Sequence, residues 1–111
     1  MNDYLPKVYT DFRNRYRSVS EAQGRLASAV RDAVPFDERT SRLLKLALAI
    51  GAQADGAVRS KVRKGLEHGL SVEEIQAVSL LAITTCGFPT AVAGFGWIED
   101  VLQGEGLESS E

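Results

Sequence analysis

The chain has 111 residues, of which 44% are hydrophobic and 25% charged, and its net charge is −2. These values fit one compact soluble domain and exclude disordered, collagen-like and disulfide-scaffold classes. The near-neutral total hides a separation: residues 1–64 hold all 13 Lys and Arg with 7 acids, whereas residues 65–111 hold 8 acids and no Lys or Arg. One half therefore carries +6 and the other −8.

No apolar run approaches the ~20 residues that span a bilayer, and no basic-then-apolar leader opens the chain, so a cytoplasmic location without a membrane partner is expected. A single cysteine, Cys86, and a single histidine, His68, exclude an intrachain disulfide and a multi-histidine metal site. Phosphate-cradling and nucleophile-elbow motifs are absent, so no metal, nucleotide or organic cofactor is expected. Arg13, Arg15, Arg17 and Arg25 do not read as a nucleic-acid site, because Tyr9, Phe12 and Tyr16 among them fall at core spacing.

In chain order, Pro6 suits the start of a first helix carrying Val8, Tyr9, Phe12 and Tyr16 to about Arg17. Ser18 and Glu21 form a capping-box pattern, which opens a second helix through Ala22, Leu26, Ala29, Val30 and Ala33 until Pro35. Asp37 caps a third helix to about Asp55. Its leucines and Ile50 cover most of the circumference, leaving one stripe of Glu38, Arg42, Lys45, Ala49 and Ala52, so burial on nearly every side is expected.

Asp55-Gly56 reads as a turn before a fourth helix over 57–68, with Val58, Val62 and Leu66 inward and Lys61, Lys64 and His68 on another face. Ser71 and Glu74 make a second capping box before a helix whose Ile75, Val78, Ala82 and Cys86 share a face, so Cys86 is expected to be buried. Gly87 ends it, and Pro89 opens a last helix through Ala93, Trp97, Ile98, Val101 and Leu102 to Gly104. Gly94 and Gly96 are placed to let two helices approach closely, and the acidic segment 105–111 is expected to be disordered. The reading is all-α: one domain of six helices over residues 1–104.

The run Gly69-Leu70-Ser71-Val72-Glu73-Glu74-Ile75, then Ala82-Ile83 and Cys86-Gly87-Phe88-Pro89-Thr90-Ala91, resembles the C-terminal half of carboxymuconolactone decarboxylase-like proteins, the likeness covering residues 35–103. It implies an all-α alkylhydroperoxidase D-like fold and homo-oligomers, trimers or hexamers. The implied chemistry is lactone decarboxylation or, in the alkylhydroperoxidase D branch, thiol peroxidase activity. That redox branch uses C-x-x-C, a histidine four residues on and a glutamate one helix earlier. The matching positions here are Ala54, Ala57, Lys61 and Arg42, which removes the nucleophilic thiolate and its resolving partner.

The decarboxylase branch, as the resemblance implies, needs cations to hold a carboxylated lactone and an acid to return a proton. Arg42, Lys45, Lys61 and Lys64 are the candidate residues for a small anionic ligand, and His68 is the candidate acid–base group. The plain alternatives are solvated cations and a histidine complementing a helix C-terminus. Two functions stay open, a cofactor-independent lyase and a catalytically inactive binding or interaction subunit.

Overall fold

The computed structural model describes residues 7–106, and among them every regular element is α-helical: α1 (Lys7–Arg15), α2 (Arg17–Ala33), α3 (Glu38–Gly51), α4 (Asp55–Glu67), α5 (Val72–Cys86) and α6 (Phe88–Gly104). Pro6 and the expected acidic tail beyond Gly106 lie outside the described residues. The chain divides into two compact units, one ending at Pro35 and the other beginning at Phe36.

In the first unit α1 runs almost directly into α2. Tyr16 is the single non-helical residue, with φ −121° and ψ 64°, and its N–H still reaches the Phe12 carbonyl at 2.9 Å. The Ser18–Glu21 capping box does not form, because α2 opens at Arg17 and Ser18 is already helical. A capping serine must be extended, which a helical residue cannot be. Neither helix buries a residue. Tyr9, Phe12 and Tyr16 are exposed rather than core, the Phe12 and Tyr16 rings lie 5.1 Å apart, and the Arg13 and Arg15 guanidinium groups sit over Tyr9 and Tyr16.

The second unit has a continuous core. Leu46 and Ile50 of α3, Val58 and Val62 of α4, Ile75 of α5, and Ile98 and Leu102 of α6 are all less than 2% exposed. Helix α5 packs along α6, and α3 packs against α4, α5 and α6. Asp37 caps α3 as expected, accepting the Thr40 N–H at 2.7 Å, and that bond holds its carboxyl below the usual range. The Ser71–Glu74 capping box forms in both directions, at 3.0 and 2.9 Å. Arg39 grips the same Glu74 with two nitrogens and also reaches the Gly69 carbonyl, fastening α3 to the start of α5. Arg59 bridges Asp55 and Asp100, tying α4 to α6.

Three expectations change here. Helix α3 is buried along one side, not all round: Leu44 and Leu48 are exposed, whereas Ala49, placed on the polar stripe, is only 7% exposed. The buried side is made by Leu46, Ala49 and Ile50, while Glu38, Lys45 and Ala52 of the stripe stay exposed together with the leucines at 44 and 48. The α3–α4 connection centres on Gln53, which takes a left-handed φ of 55°, and Asp55-Gly56 forms the first turn of α4. An acid in a first turn complements the helix dipole, so the dipeptide serves a helix start as well as a turn. Cys86 is exposed at the end of α5.

Candidate anion-binding site

The site grows from the packing of α3 on α4. The Asp37 cap fixes where α3 begins, and the 3.6-residue period sets which of its residues share a stripe. Glu38 and Arg42 are one turn apart, and Glu38 accepts from Arg42 Nη2 at 2.7 Å and Nε at 3.1 Å. The Arg42 side chain is 25% exposed, so its guanidinium is held in place rather than swinging in solvent. Lys45 follows on the same stripe and is exposed. From α4, Lys61 is half-buried and Lys64, one turn on, is exposed.

Lys61 feels the charges of the other three. Burial is the main cause that pushes its ammonium below the ordinary lysine range, and the positive charges of Lys45, Lys64 and Arg42 push it the same way. Among the described residues Lys45, Lys61 and Lys64 form no ion pair. A half-buried ammonium without an ion pair, within the influence of other cations, is a place where an anion gains favourable interactions. The planar Arg42 fork, already oriented by Glu38, can receive a carboxylate edge-on, while the lysines act as point charges around it.

His68 lies one turn beyond Lys64 on the same helix. It is the exposed C-cap residue of α4, and its Nδ1 lies 2.8 Å from the Lys64 carbonyl. A carbonyl only accepts, so Nδ1 carries the hydrogen and Nε2 is the nitrogen left for proton exchange. At the positions of the redox pattern, Ala54 is the N-cap of α4 and Ala57 sits in its first turn, with Lys61 one turn further along.

Sequence reasoning did not single out Glu38 as the residue orienting Arg42, although the i,i+4 spacing was the signal for it. It also gave no sign of the Arg39–Glu74 clasp, whose partners are 35 residues apart. A cavity of about 200 Å3 lies elsewhere, between α5 and α6, lined by Ser79, Leu80, Ile83, Ala91, Val92 and Phe95, with no cation among them.

No curated protein and no solved structure gives a significant match to the chain. The model of the carboxymuconolactone decarboxylase family does match, over residues 18–100. That span runs from the first turn of α2 well into α6 and takes in Arg42, Lys45, Lys61 and Lys64, and on its strength the chain belongs to the carboxymuconolactone decarboxylase family.

Proposed function

We propose that the chain binds a small carboxylated compound, a lactone or related acid, at Arg42, Lys45, Lys61 and Lys64, and that it has no dithiol peroxidase activity. The observation that carries this reading is the half-buried Lys61 amine, which forms no ion pair among the described residues and whose charged form is opposed by burial and by the charges of Lys45, Lys64 and Arg42. Alanine at positions 54 and 57 leaves no thiol pair to reduce a peroxide. In a decarboxylation, the cations would hold the carboxylates and stabilise charge developing at the lactone carbonyl, and His68 Nε2 would move the proton.

A binding or interaction role without catalysis is the second reading. It is favoured by the apolar α5–α6 cavity, whose lining contains none of the cations. In both readings the protein assembles as a homo-oligomer, a trimer or hexamer, whose basic and acidic halves orient the subunits.

A thermal-shift series with small aromatic-pathway acids and lactones tests the site, since a ligand specific for the folded state raises the melting temperature by mass action. A carboxylated member of the series should raise it for the wild type and not for Lys61→Gln. Equal shifts in both proteins would remove the site. Carbon dioxide release from the same ligand separates the lyase from the binding subunit, and hydroperoxide turnover with a dithiol donor would overturn the non-redox assignment.

A further inference from the structure

Helix α2 carries an apolar seam that the chain's first unit does not bury. Val19, Ala22, Leu26, Ala29 and Ala33 alternate by three and four residues, the 3.5-residue repeat with which one helix packs along another. Val19 and Leu26 are more than half exposed, and no residue of α1 or α2 is buried. In proteins, tertiary packing of an apolar face supplies most helical stability. The seam therefore calls for a partner.

The charges beside the seam say which partner. Arg25 and Asp32 each immediately precede a seam residue, so both lie on the same shoulder, two turns apart. That separation is about 10 Å along the axis, too far for them to pair within one helix. Neither forms an ion pair among the described residues.

We propose that α2 docks antiparallel on α2 of a second copy of this chain. In that register Leu26 meets Ala29 of the partner subunit, and Ala22 meets Ala33 of the partner subunit. The twofold axis then sets Arg25 opposite Asp32 of the partner subunit, and the same pair recurs by symmetry. A parallel arrangement instead faces Arg25 with Val30 of the partner subunit and leaves both charges unmatched. The alanines let the two backbones approach to the short end of the usual interhelical range, and opposed helix dipoles favour the antiparallel sense. This contact rests on the self-association proposed above and, having a twofold axis, specifies a surface of the hexamer and not of a cyclic trimer.

Sedimentation equilibrium of the full chain, with circular dichroism to follow helix content, tests the contact. Leu26→Glu should remove it and reduce the particle mass. Arg25→Asp and Asp32→Arg should each weaken association by about tenfold or more, because each sets two like-charge pairs face to face. The double exchange R25D/D32R should restore wild-type association with unchanged helix content, a rescue that loss of folding cannot imitate. If the wild type is monomeric at all concentrations, both the contact and self-association fail. An oligomer whose mass ignores Leu26→Glu, or a double exchange no stronger than the single ones, would falsify the contact alone.

Discussion

The two units of this chain follow the same helical periodicity to opposite ends. From α3 to α6, residues at core spacing close on one another until Ile50, Val58, Val62, Ile75, Ile98 and Leu102 have no exposed surface. In α1 and α2, residues at the same spacing remain open: Val8, Phe12, Val19 and Leu26 are all at least 48% exposed. Periodicity marks which face seeks burial, and leaves unsaid whether the covering surface belongs to the same molecule.

The largest effect should come from emptying the core of the second unit. Ile98→Ala removes fully buried methyl and methylene groups among tightly packed neighbours and should cost about 2–5 kcal/mol in urea denaturation. Leu26→Ala, measured under dissociating dilution, should stay within about 0.5 kcal/mol because its side chain is already open to water. At concentrations that favour association its cost should grow. A Leu26 effect as large as that of Ile98 in the dilute monomer would break the contrast between the units.

A pair of mid-helix glycines sharpens the same contrast. A Cβ on Gly94 would lie 2.8 Å from Ile50 Cγ2 and 3.1 Å from Cγ1, and Ile50 is fully buried. Gly94→Ala should therefore destabilise by about 1–3 kcal/mol through overpacking. A Cβ on Gly24 meets nothing within 4 Å. Gly24→Ala should stabilise by about 0.5–1 kcal/mol, the ordinary helical preference for alanine over glycine. Thermal melts of the two variants should move in opposite directions.

The two capping-box patterns form the next pair. Ser71→Ala should cost about 0.5–2 kcal/mol, since Ser71 accepts the Glu74 N–H, whereas Ser18→Ala should cost far less because Ser18 caps nothing. This pair also marks how far the sequence can be read. All six helices, the Asp37 cap, the Ser71 box and the stop at Gly87 follow from local chemistry, which the chain carries within a few residues. The Ser18 box has the same local pattern, yet it loses to a helix that opens one residue earlier, at Arg17 after the break at Tyr16, a competition the motif does not encode. The candidate site is split in the same way. Each helix wheel shows its own cations, but the influence of Arg42 and Lys45 of α3 on Lys61 of α4 depends on how the helices pack. The exposure of Leu44, Leu48 and Cys86 is equally a property of packing.

The smallest expected effect is also the most specific to the site. Lys61 has a lowered pKa in the folded chain, first through burial and then through Lys45, Lys64 and Arg42. Below the folded value the ammonium is present in both states and its strain opposes folding in full. As pH rises from the folded value toward the ordinary lysine value, the unfolded chain holds more protons than the folded one, so stability increases. Solvent reaches much of the side chain, and screening should limit the change to on the order of a few tenths of a kcal/mol. Lys61→Met keeps the apolar stem and removes the titration, so the difference between the wild-type and variant stability curves should narrow across that alkaline interval. An anion in the cluster should flatten the wild-type rise, because it favours the ammonium and raises its pKa. A curve for Lys61→Met parallel to the wild type would show that the strain in the cluster does not reside at Lys61.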